Sequence, residues 1–176
     1  MKRQTLIISI LLHALLLILA YIFQGMIFPH LKLAGLTPLL MPIVSTGVAV
    51  CEGRDAGGIM GIFAGIFCDN SFNEPTVVFT VLLTVLGLIV GTLADTVITR
   101  VFATYFLSCV AVLAISALVQ MLPLLFRSNA PVPIQPLITM LFQQTVYALI
   151  FTIPIWFFVR ALGKRAQRVS PSGRPQ

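Results

Sequence analysis

Residues 52–69, EGRDAGGIMGIFAGIFCD, place a small residue at every fourth position. Four glycines and an aspartate occupy successive positions at this spacing: Gly53, Gly57, Gly61, Gly65 and Asp69. In a soluble helix each interior glycine costs about 1 kcal/mol relative to alanine. A helix that contains several of them must gain from their small size. The segment therefore predicts a helix whose backbone lies close to a neighbour.

The composition of the chain indicates that this helix lies in a membrane. Of 176 residues, 59% are hydrophobic and 9% are charged, and the mean hydropathy is +1.05. Globular domains carry roughly 25% charged residues, so this chain lacks the polar side chains that a surface in water requires. The net charge is +6, but the charges lie at the ends of apolar runs, which argues against a nucleic-acid partner. We expect an all-α, polytopic membrane protein surrounded by lipids.

Apolar runs of about 20 residues recur along the chain and predict six transmembrane helices in one domain, residues 1–162. The spans are expected at about 5–24, 36–51, 56–72, 76–98, 101–126 and 136–160. The second and third spans hold only about 16 residues, or about 24 Å of helix against about 30 Å of hydrocarbon. A re-entrant hairpin made from these two segments is therefore the alternative. Pro123 and Pro154 predict kinks in the last two spans.

The basic residues predict the orientation of the chain in the membrane. Nine of the 11 lysines and arginines fall on the side that holds both termini, and the other two are Lys32 and Arg127. Because cytoplasmic loops carry an excess of basic residues, we expect both termini in the cytoplasm. Residues 163–176 combine serine, proline and glycine with basic residues and predict a disordered cytoplasmic tail. Its basic residues include Lys164, Arg165 and Arg168.

The fourth predicted span repeats the spacing of the third. Between helices in lipid there is no hydrophobic drive, and small residues four apart allow close backbone packing. In both spans the glycines lead to an aspartate, in the third as Gly57, Gly61, Gly65 and Asp69, and in the fourth as Gly87, Gly91 and Asp95. Either the two glycine rows pack inside the bundle, or one of them receives a helix from another protein. The sequence does not decide between these two arrangements, and it does not identify the helix that would bind.

The two aspartates are candidates for a role at the membrane boundary. An ionisable residue inside a membrane is by default a functional candidate. Asp69 precedes the polar turn NSFNEP, which predicts that its side chain caps or ends its own helix, the third span. Asp95 lies five residues before Arg100, which predicts an ion pair between them. A path for ions or protons is the alternative to these structural roles.

The sequence contains no residues arranged for catalysis or for a cofactor. His13 lies in the first span without a histidine, cysteine or carboxylate three or four residues away, so we expect it to bond a neighbouring helix rather than a metal. The three cysteines form no C-x-x-C pair, and the common hydrolase, metalloprotease and nucleotide-binding motifs are absent. Gln143 and Gln144 can hydrogen-bond between helices. We expect neither enzymatic activity nor a cofactor.

The length, the hydropathy and the pattern G-x-x-x-G-x-x-x-D at Gly61, Gly65 and Asp69 resemble the bacterial rod shape-determining protein MreD family. After Asp69 the polar NSFNEPT departs from the apolar, glycine-containing turn that family members often have. The resemblance implies a non-enzymatic adaptor of the cell-elongation machinery in the bacterial cytoplasmic (inner) membrane, supporting rod shape and lateral peptidoglycan synthesis. It implies as partners an MreC-like bitopic protein, a RodA-like glycosyltransferase and a class B penicillin-binding transpeptidase.

A second class of protein is compatible with this size and hydropathy. The substrate-binding S components of energy-coupling-factor vitamin transporters also have six membrane helices, and the expected fold resembles theirs. Such a protein binds a vitamin in an outward-facing pocket and docks through small residues on its first helix. Here Ala14 and Ala20 are six residues apart, which does not form such a face. The sequence does not decide whether a small-molecule pocket exists.

Overall fold

The described part of the protein is almost wholly α-helical. A computed structural model gives the conformation of residues 2–27, 38–71, 77–96, 101–127 and 134–169. Within these ranges the helices, in chain order, are α1 (Lys2–Ile22), α2 (Leu40–Glu52), α3 (Arg54–Ser71), α4 (Val78–Thr96), α5 (Phe102–Arg127), α6 (Ile134–Ile150) and α7 (Thr152–Val169). A π-helical turn, Phe23–Ile27, extends α1. The first five predicted spans each overlap one of these helices, and the sixth overlaps α6 and α7.

Two of the described helices are long and apolar enough to cross a membrane. They are α4 and the segment Phe102–Gln120 of α5. Leu141–Ile150 and Thr152–Gly163 pass the same criterion together but meet at an angle of 46°, so they form a third span if the bent pair counts as one. By length and composition the described part of the protein thus has two helices that could cross a membrane, or three with the bent pair. A total of six spans stays a prediction.

Helix α2 lies at the centre of the molecule. All residues from 38 to 50 are buried, and the helix packs against α1, α3, α4, α5 and α7. Its 13 residues give about 20 Å of helix, which is shorter than the hydrocarbon layer. Pro42 lies in the first turn, where its missing N–H breaks no helical hydrogen bond. A short helix can be central here because its neighbours, rather than lipid, surround it.

Aromatic and polar side chains join α2 to the helices beside it. Tyr105 of α5 stacks on Trp156 of α7 with ring centroids 4.9 Å apart, and its hydroxyl donates to the Ile43 carbonyl at 3.5 Å. His13 is fully buried in α1, and its Nε2 lies 3.3 Å from the Val159 carbonyl oxygen of α7. The prediction that His13 bonds a neighbouring helix is confirmed.

The C-terminal helices confirm the kink predicted at Pro154 and differ from the sequence-based expectation in the tail. The chain bends at Phe151, three residues before Pro154. A proline ring clashes with the carbonyl four residues earlier, here that of Ile150, which accounts for a break at this point. Helix α7 then continues to Val169, into the stretch predicted to be disordered. Alanine, lysine, arginine and glutamine dominate residues 161–168, and all four favour helix. Residues 170–176 lie outside the described part.

Candidate functional site

Helices α3 and α4 form an antiparallel pair in which the two glycine rows face each other. Gly57 lies opposite Gly87, Gly61 opposite Leu83, and Gly65 opposite Thr80. A Cβ atom added at Gly57 would lie 2.7 Å from the Gly87 carbonyl oxygen, and one at Gly61 would meet the Leu83 carbonyl. Separations under 3 Å are not tolerated, so the helices approach this closely because these side chains are absent. We call this contact the glycine seam.

The seam continues to the start of α3. A Cβ atom at Gly91 would lie 2.6 Å from the Cα atom of Arg54. The glycines that were predicted either to pack the bundle or to receive a foreign helix therefore contact each other's helices. At these positions α4 already occupies the groove of α3, and α3 that of α4.

Gly53 forms the corner between α2 and α3. Its φ angle is +92°, in the region that side chains rarely adopt, and its N–H donates to the Ala49 carbonyl at 3.1 Å. A Cβ atom at this position would lie 2.6 Å from a carboxylate oxygen of Asp95. Gly53 is thus required by both its backbone conformation and the approach of Asp95.

Asp69, at the end of α3, caps the beginning of α4. One carboxylate oxygen accepts the backbone N–H of Phe79 at 3.0 Å. The other accepts the N–H of Thr80 at 3.0 Å and the Thr80 hydroxyl at 2.6 Å. These N–H groups belong to the first turn of α4 and have no partner within the helix. The negative charge also lies at the positive end of the α4 dipole.

Asp95, at the end of α4, makes the reciprocal contact with α3. Its Oδ2 accepts the backbone N–H of Arg54, the first residue of α3, at 2.9 Å. Each helix of the pair therefore ends in an aspartate that caps the start of the other. The predicted ion pair between Asp95 and Arg100 involves a residue outside the described part. We call the glycine seam with its two aspartates the capped pair.

A side chain from another helix also caps the central helix. The Oε1 atom of Gln24, in the π-helical turn after α1, accepts the N–H of Leu40 at 3.1 Å. Both groups are buried. Sequence reasoning missed Gln24, although a glutamine at the end of an apolar run is a signal for such a cap. A side chain from another helix thus accepts at least one first-turn N–H of α2, α3 and α4, which lowers the cost of these groups in an apolar environment.

The outer face of the capped pair is apolar and exposed. On α3 it presents Ile62, Phe63 and Ile66. On α4 it presents the exposed side chains Val78, Val81, Val85, Ile89 and Leu93. Lipid or a membrane helix of another protein is the environment that suits this surface. The arrangement can hold two helices in a fixed register while both display exposed apolar side chains.

The basic residues of the predicted tail belong to α7. Lys164, Arg165 and Arg168 all lie within this helix, and their side chains fall outside the described part. Just before them, Gly163 faces the end of α2, where an added Cβ atom would lie 2.6 Å from a Glu52 carboxylate oxygen. The end of α7 thus lies next to the corner between α2 and α3.

No protein-family model, curated protein or solved structure matches this chain.

Proposed function

We propose that the protein is a non-enzymatic, multi-pass adaptor in the cytoplasmic membrane of bacteria, acting in the cell-elongation machinery. In this proposal it has six transmembrane helices arranged similarly to an S component, with both termini in the cytoplasm. Its role is to hold an MreC-like bitopic protein together with a RodA-like glycosyltransferase and a class B penicillin-binding transpeptidase. Rod shape and lateral peptidoglycan synthesis then depend on it.

The observation that carries this proposal is the capped pair. The pattern G-x-x-x-G-x-x-x-D, on which the resemblance to MreD proteins rests, forms a contact whose carboxylates accept backbone hydrogen bonds. Asp69 accepts three hydrogen bonds from the first turn of α4, and Asp95 accepts the N–H of Arg54. Carboxylates used in this way build a rigid unit and suit an adaptor better than an ion carrier.

The exposed face of the capped pair supports a partner in the membrane. Phe63 and Ile66 of α3 and Val85 of α4 are among its exposed side chains. Because the glycines face inward, a partner would recognise the outer surface of the pair and would depend on its rigidity. In this proposal the exposed apolar residues bind the partner, and the glycine seam keeps the surface that carries them rigid.

Affinity purification in a mild detergent tests the proposal. We expect the tagged protein, expressed from its own locus, to recover an MreC-like and a RodA-like protein. Gly61→Leu should reduce this recovery and widen the cells, because leucine cannot fit beside the Leu83 carbonyl. Gly25→Leu makes the same change outside the capped pair, where no described group lies within 4 Å of an added Cβ atom, and this matched control should behave as the parent.

Recovery of paired ATPases in place of the cell-wall proteins would overturn the adaptor proposal in favour of the transporter S component. The same conclusion would follow if loss of the gene abolished uptake of a vitamin and left cell width unchanged. Equal recovery of the cell-wall proteins by Gly61→Leu and Gly25→Leu would show that partner binding does not depend on the glycine seam.

A further inference from the structure

The glutamines of the described helices differ in what their amides contact. Gln24 accepts the Leu40 N–H, as described above. Gln120 of α5 uses its Nε2 to donate to the Ser116 carbonyl at 3.4 Å. Gln144 of α6 is buried inside the molecule. These three glutamines satisfy their amides within the protein or face its interior.

Gln143 of α6 faces away from the molecule. It is exposed, and so are its neighbours on the same face, Phe142 at 68% and Val146 at 44%. It lies nine residues after Ile134, about 13 Å along the helix axis, and so within the bilayer if α6 starts at its surface. In the described ranges no hydrogen bond reaches its amide. The hydrocarbon of the bilayer offers no hydrogen-bond partner either, and an amide without a partner there is costly in free energy.

The outward faces of the other described helices carry no comparable group. Their exposed polar side chains are charged, as in Arg54 and Arg160, or hydrogen-bonded, as in Asn70. Large exposed apolar side chains include Leu11, Leu15 and Leu19 of α1, Val81, Val85 and Ile89 of α4, and Phe106, Leu107 and Leu118 of α5. The exposed Thr92 and Thr96 of α4 donate to carbonyls four residues earlier in their own helix. In the part of the chain that the structure describes, Gln143 is thus the exposed mid-helix amide that lacks a partner.

We propose that the α6 face around Gln143 binds a second copy of this chain. A glutamine amide carries both a donor and an acceptor and is therefore complementary to itself. A two-fold axis along the membrane normal brings Gln143 beside its equivalent, so that each Nε2 donates to the other Oε1. Two copies related by this axis have the same orientation in the membrane, as one biosynthetic topology demands.

The apolar residues of the same face complete this interface. Ile138, Phe142, Val146 and Ile150 are all exposed on α6 and surround Gln143. They pack against their equivalents in the second copy and keep lipid away from the amide pair. Thr139 on this face already donates to the Gln135 carbonyl and needs no partner. The interface requires α6 to lie in the bilayer and does not depend on the adaptor function.

Energy transfer between labelled copies in lipid vesicles tests the interface. The full-length protein, labelled at its N-terminus with donor or acceptor, is reconstituted in phosphatidylethanolamine–phosphatidylglycerol vesicles at decreasing protein-to-lipid ratios. We expect Gln143→Leu to weaken self-association about threefold to tenfold, the size of effect typical of such hydrogen bonds in membranes. Gln135→Leu makes the same change at the start of α6, where water competes, and should leave association within about twofold of the parent.

Photo-crosslinking identifies the occupant independently of these substitutions. A photoreactive amino acid at Phe142, introduced in living cells, should give an adduct of two 19.2-kDa chains. The same group at Val81, on the exposed face of α4, is the control and should not give that adduct. An adduct at Phe142 with a different protein would overturn the proposal. Equal energy transfer for Gln143→Leu and the parent would also overturn it.

Discussion

Asp69 connects two helices through the backbone of the second. The side chain lies in α3, and the groups it binds are the amides of Phe79 and Thr80 and the hydroxyl of Thr80 in α4. Hydrogen bonds to an ionised acceptor are roughly twice as strong as those between neutral groups. In an apolar environment the amides have no water to replace the carboxylate. The stability of the α3–α4 contact should therefore be sensitive to this residue.

Asp69→Asn should lower the unfolding temperature. An amide keeps one acceptor oxygen, so at least one of the three hydrogen bonds is lost and an NH₂ group faces a donor. The expected loss is about 1–3 kcal/mol, or about 2–10 °C for a protein of this length. Thermal unfolding in detergent measures it. Asp55→Asn, the same change on an exposed carboxylate at the start of α3, should shift the midpoint by less than a third as much. Equal shifts would show that the cap contributes nothing.

Gly53→Ala tests the corner between α2 and α3. Alanine at φ +92° is strained, and its Cβ atom would displace the Asp95 carboxylate from the Arg54 N–H. We expect a loss of about 2–4 kcal/mol from strain and the lost cap together. Gly25→Ala is the matched control, since among the described residues nothing beyond its own helix lies within 4 Å of a Cβ atom there. A Gly53→Ala variant that unfolds at the temperature of Gly25→Ala would rule out this account.

The sequence predicted a capping role for Asp69, but at the end of its own helix, and it did not predict the contact made by Asp95. The amides that Asp69 binds lie 10 and 11 residues further on, at the start of the next helix. Asp95 binds Arg54, 41 residues earlier, and nothing near Asp95 in the sequence points to that amide. The sequence favoured Arg100 because it is close along the chain. The hydrogen bond between Gln24 and Leu40 could not be predicted from the sequence either, because it follows from the packing of the helices.

The glycine spacing of α3 and α4 predicted close packing, and in the structure the two glycine rows pack against each other. Each row removes side chains from one face of a helix, so that carbonyl groups of the partner come within contact distance. Gly57 and Gly87 lie directly opposite and limit the separation of the axes together. Periodicity identifies a face but not the helix that meets it, which is why the sequence left two interpretations open.

Substitutions at Gly57 and Gly87 should be strongly coupled. Each alanine alone forces the helices apart at the same point, at a cost of about 1–3 kcal/mol. Once the first substitution has separated the helices, the second Cβ atom no longer clashes and adds little further cost. The free energy lost in the double variant should therefore fall short of the sum by about 0.5–2 kcal/mol. Denaturation of the two single variants and the double variant measures this coupling. Gly57→Ala combined with Gly25→Ala is the additive control, and additivity in both pairs would contradict direct opposition of the rows.

The described helices follow the predicted order, and the departures come from tertiary packing at α2 and from local helix propensity at α7. Local hydropathy predicted where helices occur, and even the weak second span corresponds to α2. Hydropathy did not reveal that α2 is enclosed by its neighbours, since an apolar run reads the same beside lipid and beside protein. Hydropathy also underestimated the length of α7, because the basic residues after Gly163 favour helix even though they end an apolar span.

Both termini are predicted to face the cytoplasm. The asymmetry of the basic residues motivates this orientation. Alkaline phosphatase, which is active outside the cytoplasm, should be inactive when fused after Gln176 and active when inserted at Asn129. Green fluorescent protein fused at the same positions provides the complementary control. The prediction is wrong if the phosphatase is active after Gln176 and inactive at Asn129, because the C-terminus would then lie outside the cytoplasm.

The reciprocal caps have a consequence for biosynthesis. Helix α3 contains Arg54, Asp55 and Asp69 and is not among the described helices that are apolar enough to span a membrane, whereas α4 is. Until α4 has left the ribosome, Asp69 has no amides to bind and the glycine face of α3 has no cover. We expect the translocon to release the two helices as a hairpin. Both test chains keep α1 as an anchor, so the readout is the end of α3. Protease added on the cytoplasmic side should cut there in a nascent chain that ends after Ser71 and should not reach it in one that ends after Thr96.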